Sequence, residues 1–371
     1  MPKKHIVPIV NIAIQFEEAR TKILKGWEKV LTEGIFISGK EKSNFEKAFA
    51  KFVGTNFAVT VASGTDALRL SLIASGLREK DEVITPSFTF AASAIAIIQA
   101  GAKPVFVDID PQIYTIDCSK IEGAITKNTK AILPVHLFGQ VADMPRITKI
   151  ANKYKLKVIE DACQAHGAKF KDKNVGTLGN LAAFSFYPTK NLGSFSDAGA
   201  ITTNNKSYEK RIRRLSNYGF KLKYISEEIG FNSRIDELQA VWLKTFLKFL
   251  PKWNRKRQVL ARRYLKLLKT LPIQLPQTLQ RTQHAYHIFA IRTPKRDKLK
   301  RFLENKGVST LIHYPVPLHL QPAFKEYKTG RLINSEKVAK EILSLPIYPQ
   351  MTIRQQNYVV ETIRDFFKRK A

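Results

Sequence analysis

Cysteine is scarce: Cys118 and Cys163 are the only two in 371 residues. A disulfide framework is excluded for a chain this long, and a reducing cytoplasm is the expected setting. Metal-ligand spacings such as CxxC and HExxH are missing, so no metal site is expected. No apolar run reaches the roughly 18 residues needed to cross a bilayer, so no membrane partner is expected. The start, MPKKHIVPIVNIAIQF, has basic residues but no adequate apolar stretch and no small-residue cleavage site, and it reads as mature sequence. Internal repeats and low-complexity tracts are absent. Acidic residues are the other shortage: 31 against 62 basic, a net charge of +31, with 26 basic and 7 acidic residues in 251–371 alone. Such a surplus attracts anions, nucleotides included. The basic residues are dispersed and carry no nucleic-acid-binding signature, so no specific nucleic-acid partner is expected and solvated lysines spread over the helices account for the charge.

What is present is an alternation. Residues 41–53 have helical apolar spacing with Gly54 as a stop. Strands are predicted at 57–63, 82–86, 104–109, 131–137, 157–162, 182–186 and 199–204, and helices at 65–75, 90–100 and 145–155. Short apolar runs alternating with amphipathic segments imply a mostly parallel sheet covered on both faces. The pattern changes near residue 235, where a strongly helical stretch to 271 carries Pro251 as a kink or break. A strand at 286–293, a helix at 297–307 and C-terminal helices then suggest a smaller α/β domain. The division expected is 1–250 and 251–371.

Three segments carry chemistry. In ASGTDAL (62–68) a strand ends, a glycine turn follows and a helix begins. Gly64 permits close backbone approach, and the N–H groups of Thr65 and Asp66 suit a phosphate, with Thr65 as a good N-cap whether or not a ligand binds. In VIEDACQAHGA (158–168), Glu160 and Asp161 fall at a strand end, where ligands of open parallel sheets sit. A carboxylate there can keep a ring nitrogen protonated, though a solvated acidic pair has the same sequence. In FSFYPTKNLG (184–193), Lys190 follows a strand between aromatics and a glycine turn. A lysine nucleophile needs a lowered pKa, which partial burial supplies. Singly each segment has an ordinary structural reading. Together they match what pyridoxal 5'-phosphate requires: a Schiff-base lysine, an acid for the pyridinium nitrogen and an anion site.

With those motifs in place, the chain resembles the DegT/DnrJ/EryC1/StrS family of sugar aminotransferases. The likeness runs from FISGKEKSNFEKAFAKFVG through PSFTFAASA, PVFVDID, PVHLFGQVADM and GFNSRIDELQA to IHYPVPLHLQPAF and LSLPIYP. It implies the α/β architecture of fold type I, aspartate aminotransferase-like: a large domain with a mostly parallel seven-stranded sheet, and a smaller C-terminal domain. It implies Lys190 as the cofactor lysine and Asp161 as the acid at the pyridine nitrogen. It further implies Gln164 against the ring, Gly64, Thr65 and Ser185 at the phosphate, and Phe88 stacked on the ring. Asn232 would reach the phosphate from a neighbouring subunit, which implies a homodimer with shared sites. Two departures stand out: Cys163 replaces the commoner alanine, and Ser196 a usual glycine.

The resemblance also implies a substrate. Glutamate would give its amino group, and a dTDP-3-keto-6-deoxyhexose would take it, yielding a dTDP-3-amino-3,6-dideoxyhexose. Tyr187, His313 and Tyr314 would line the sugar pocket, the last two from the other subunit, and Lys221 and Lys223 would meet the nucleotide diphosphate. A 4-keto-sugar or a UDP-linked 3-keto-sugar is the alternative within the class. A basic nucleic-acid-binding or regulatory protein that kept the fold is the alternative outside it.

Overall fold

A computed structural model describes residues 7–327 and 330–368; the basic start at residues 1–6 lies outside them. The chain opens with helices α1 (Ile12–Glu17), α2 (Arg20–Glu33) and α3 (Lys40–Val53), the last ended by Gly54 in the left-handed conformation at φ 91°. The alternation then runs β1 (Phe57–Val61), α4 (Gly64–Ala74), β2 (Glu82–Pro86), α5 (Ala92–Gln99), β3 (Lys103–Val107), β4 (Thr129–Ile132), α6 (Met144–Tyr154) and β5 (Lys157–Asp161). Two short strands, β6 (Lys169–Phe170) and β7 (Lys173–Asn174), precede β8 (Leu181–Ser185), β9 (Gly199–Thr203) and α7 (Lys206–Leu215). A hairpin of β10 (Phe220–Leu222) and β11 (Ile225–Ser226) leads to α8 (Glu237–Leu247) and α9 (Leu250–Leu268). The remainder is β12 (Thr282–Gln283), β13 (Phe289–Arg292), α10 (Arg296–Asn305), α11 (Ile333–Glu341), β14 (Ile342–Leu345) and α12 (Ile353–Lys368).

Seven strands form one sheet in the order β1-β9-β8-β5-β4-β2-β3. Neighbours from β8 to β3 are parallel, and β9 alone runs against both its neighbours. Alternate residues of a strand face opposite sides, and the two cores divide accordingly. Ala58, Val158 and Ala182 join the core under α3, α6 and α8, where Phe45, Phe49, Ile147 and Phe246 are buried. Val59, Ile159 and Ala183 join the core under α4, α5 and α7, with Leu68, Ile97 and Ile212. Each such buried Phe, Leu or Ile contributes about 2 kcal/mol by leaving water.

The break at Pro251 is complete. Helix α8 starts with a capping box between Asp236 and Gln239, and α9 starts afresh with Pro251 in its first turn, where the missing N–H has no helical partner to lose. Helix α9 begins in the first core (Leu250, Trp253) and ends in a third core (Leu260, Tyr264, Leu268) shared with α10, α12, β13 and β14. The sequence then returns to the large sheet: Leu318, Phe324 and Leu332 pack with Ala94 and Phe106. Helix α11 is fastened there by buried Asp108, which accepts hydrogen bonds from Asn334 N, Ser335 N and Ser335 Oγ at 2.7–2.8 Å.

Two predicted strands are much shorter than expected. The strand at 131–137 ends at Ile132 because Pro134 has no N–H to continue the ladder, although Val135 still bridges Asp161. The strand at 286–293 starts only at Phe289, after Tyr286 takes a positive φ of 44°. No helix among the described residues is long and apolar enough to cross a membrane, and none of their His, Cys, Asp and Glu side chains group to hold a metal ion.

Candidate active site

The parallel strands deliver their carboxyl ends to one edge of the sheet, where a cavity of about 470 Å³ opens. Ser63 and Gly64 after β1, Asp161 at the end of β5, Ser185 at the end of β8, and Lys190 beyond it all line this cavity.

Strand alternation sorts the acidic pair at the end of β5. Glu160 turns away and is fully buried, accepting from His136 Nε2 at 2.9 Å and from the N–H groups of Gly176, Leu178 and Gly179 at 2.8–3.0 Å. It is a structural carboxylate. Asp161 turns into the cavity; its Oδ2 accepts from Ser93 Oγ at 2.8 Å and its Oδ1 from Cys163 N at 3.2 Å. Ser93, in α5, is a site residue the sequence reading missed.

Lys190 sits in the loop that joins adjacent strands β8 and β9. Phe186 N bonds Ala198 O, Ser194 N bonds Phe186 O, and Lys190 N bonds Tyr187 O, so the loop is tied across itself. Gly193 has to be glycine there, since a Cβ would lie 2.3 Å from Pro188 O. The neighbouring Asn191 donates to Asn254 Oδ1 and Ala285 O, pinning the loop to α9. Burial pushes the Lys190 ammonium below its ordinary pKa, against the opposing attraction of the Asp161 carboxylate. Burial, followed by the charge of Asp161, holds Cys163 well above a thiol's usual range, so it lines the cavity as a neutral group.

The phosphate turn differs from expectation by two residues. Ser63, not Thr65, is the N-cap of α4, and its Oγ accepts from Asp66 N at 3.0 Å. Asp66 N is therefore occupied, and the leading N–H groups that border the cavity belong to Gly64 and Thr65. The helix starts one residue earlier because Gly64 itself is helical. A Cβ on Gly64 would lie 2.5 Å from Ser185 Cβ and 3.1 Å from Cys163 Sγ, so the helix end and β8 can meet only through glycine.

Gln164 accepts from Phe138 N at 2.8 Å and donates to Tyr314 Oη at 3.0 Å. Tyr314, its hydroxyl pKa raised by burial, and His313, pushed down to about 4 by burial and then by Lys190, line the same cavity as Tyr187. The expectation that His313 and Tyr314 arrive from another subunit is corrected: Leu311 bridges Ser344 of β14, which carries the pair into the cavity of its own chain. Phe88 is also corrected. It is fully buried in the core under α4 and does not line the cavity, whereas Phe90, 56% exposed, does. Strand β2 ends at Pro86, so strand alternation no longer governs which way residue 88 or 90 points. Asn232, Lys221 and Lys223 lie outside the cavity, on the surface. Lys221 pairs with Glu227 at 2.8 Å, Lys223 lies 5.2 Å from the Tyr224 ring centre, and Asn232 bridges Asn217. His287, also missed from sequence, lines the cavity with its pKa driven well down by burial.

A helix N-terminus with a hydroxyl beside it, a carboxylate, a lysine of lowered pKa and an exposed aromatic face line one cavity, and these residues fit pyridoxal phosphate. Fold and cavity define a pyridoxal-phosphate-dependent aminotransferase. The model of the DegT/DnrJ/EryC1/StrS aminotransferase family matches residues 17–364, and the chain belongs to that family. A Geobacillus stearothermophilus protein named pleiotropic regulatory protein is 43% identical over 370 residues, 98% of this chain and 100% of its own. The dTDP-3-amino-3,4,6-trideoxy-alpha-D-glucose transaminase of Streptomyces venezuelae is 42% identical, covering 98% of this chain and 97% of its own. The UDP-N-acetyl-3-dehydro-alpha-D-glucosamine 3-aminotransferase of Acidithiobacillus ferrooxidans is 39% identical over 98% and 99% of the two chains. The crystal structure of S. venezuelae DesV with a ketimine intermediate matches with a TM-score of 0.97 at 42% identity, over 100% of both chains.

Proposed function

We propose that this aminotransferase moves the amino group of L-glutamate to C3 of a dTDP-linked 3-keto-6-deoxyhexose. The observation that carries an aminotransferase reading is the convergence of Lys190, Asp161 and the start of α4 on one cavity. The 42% identity to a dTDP-sugar transaminase supports the carrier, and the 39% identity to a UDP-sugar enzyme supports the second reading, a UDP-linked 3-keto-sugar. The relative named as regulatory does not favour a non-enzymatic role, because this chain retains the lysine and the acid in working relation.

Pyridoxal phosphate, when bound, supplies an electron sink and carries the amino group between the two half-reactions. The chain supplies the rest. Lys190 would hold the cofactor; as a free amine favoured by burial, its Nζ would shuttle one proton in each half-reaction, drawing it from the donor's α-carbon and giving it up to the bound cofactor in the first, and drawing it back and delivering it to the sugar carbon that receives nitrogen in the second. Asp161, held by Ser93 and the Cys163 N–H, keeps the ring nitrogen protonated. The Gly64 and Thr65 N–H groups with Ser185 take the phosphate, and Phe90 covers a ring face. Tyr187, His313 and Tyr314 border the sugar. Asn232, Lys221 and Lys223, being exposed and outside their own cavity, serve the neighbouring site of a homodimer. The +31 charge draws the nucleotide diphosphate toward the protein.

The test is incubation with glutamate and a panel of dTDP- and UDP-linked 3- and 4-keto-sugars, with NMR locating the new nitrogen. The expected product is a dTDP-3-amino sugar, and Lys190→Ala is expected to abolish it. Turnover by that variant at the native rate defeats the mechanism; amination confined to UDP-sugars or to C4 defeats the substrate assignment.

A further inference from the structure

Behind the loop of Lys190 lies a second, smaller cavity of about 80 Å³, sharing Thr189, His287, Ile288 and His313 with the first. Its floor is Arg257 of α9, a guanidinium only 1% exposed. Buried arginines ordinarily face a carboxylate, because an uncompensated charge in the interior costs several kcal/mol. Arg257 has none among the described residues. Its Nη1 reaches the carbonyl oxygens of Tyr286, His287 and Ile347 at 3.3, 3.5 and 2.8 Å, and its Nε has no partner there. Burial alone pushes its pKa down to about 9.

The other polar walls share one property. Thr189 and Ser344 present hydroxyls, His287 has a buried Nδ1 without a partner among the described residues, and no lining residue is acidic. Thr189 and His287 remain able to donate, while Ser344 Oγ meets His313 Nδ1 at 2.9 Å, a bond in which either side can be the donor. The remaining walls are apolar (Ile9, Val10, Ile288, Leu311, Leu345 and Ile347), and an acid-free recess of this kind around a buried cation is suited to one small negative charge.

We propose that this recess is a binding site for a single carboxylate-sized monoanion, held by Arg257 with His287, Thr189 and Ser344. The occupant is either a carboxylate of an organic acid entering through the larger cavity or a free halide from solvent. The site stands whatever sugar the enzyme uses.

The test uses crystals of the cofactor-loaded full chain, soaked in sodium bromide and, separately, in glutarate. An anomalous bromide peak within hydrogen-bonding distance of Arg257 is expected, and carboxylate density there in glutarate assigns the site to an organic acid. Bromide without glutarate assigns it to a halide. An ordered water with no anomalous signal, and no glutarate, overturns the proposal. In solution, chloride in place of gluconate at equal ionic strength should raise the melting temperature by about 2 °C, and Arg257→Lys should reduce the rise. Equal melting temperatures in the two salts count against the site. The wild-type soak decides the matter even where an Arg257 variant fails to fold.

Discussion

Gly64→Ala isolates the contact on which cofactor binding depends. The added methyl would lie 2.5 Å from Ser185 Cβ, 3.0 Å from its Oγ and 3.1 Å from Cys163 Sγ. Ordinary carbon contacts begin near 3.5 Å, so the start of α4 and the end of β8 have to part by about 1 Å. Ser185 Cβ is fixed to a central strand and cannot swing aside. Overpacking of this kind costs about 1–3 kcal/mol, a loss of about 5- to 150-fold in cofactor affinity. The same strain is present without cofactor, so the melting temperature of the apo form should fall too, by less than the full cost because alanine favours the helix over glycine by up to about 1 kcal/mol. The assay is absorbance titration of apoenzyme with pyridoxal phosphate, beside melting temperatures of the apo forms. In a Ser185→Gly background the penalty from Gly64→Ala should shrink by at least half, since the two nearest colliding atoms are gone and only the Cys163 Sγ contact remains. Cofactor affinity within twofold of wild type in the Ser185 background would refute the reasoning.

Other outcomes follow from the same geometry. Asp161→Asn should lower single-turnover rates by about 10²-fold or more, as expected for losing a buried charge partner of about 3 kcal/mol; Ser93→Ala, removing one hydrogen bond to that carboxylate, should cost about fivefold. His166 and His284 are pushed by burial to about 3. Their folded pKa values lie below the unfolded value of about 6.5, so the stability they carry is complete above that pH. It drains away as pH falls toward the folded values, at about 1.4 kcal/mol per pH unit for each histidine. Urea midpoints at neutral and mildly acidic pH should show this slope, and a flat profile would contradict it. Asp108→Ala leaves the first N–H groups of α11 without their acceptor and should cost about 3 kcal/mol in urea unfolding, with Asp108→Asn costing less.

Much of the architecture was legible because it rests on local pattern. Apolar runs bounded by turns located the seven sheet strands, and Pro251 marked where one helix gives way to the next. Asp161 and Lys190 were readable because each ends or follows a strand in a parallel sheet, where ligands gather. What escaped depends on contacts between distant segments. Nothing near Ser93 in sequence shows that its hydroxyl reaches Asp161, 68 residues on. Phe88 and Phe90 differ only by which side of an irregular turn faces the core. The assignment of His313 and Tyr314 to another subunit failed because 123 residues of sequence separation from Lys190 carry no information about the pairing of Leu311 with Ser344.

Strand β9 is the last of the seven to be synthesised, yet it fills the slot between β8 and β1, and its ladder is the one β1 joins. Until residue 203 has emerged from the ribosome, the turn at Ser63 has no hydrogen-bonded link to the strands bearing Asp161 and Ser185. Assembly of the cavity is thus postponed to a late, long-range pairing event, and a nascent chain halted before Gly199 is left with an orphan edge in place of a cofactor pocket.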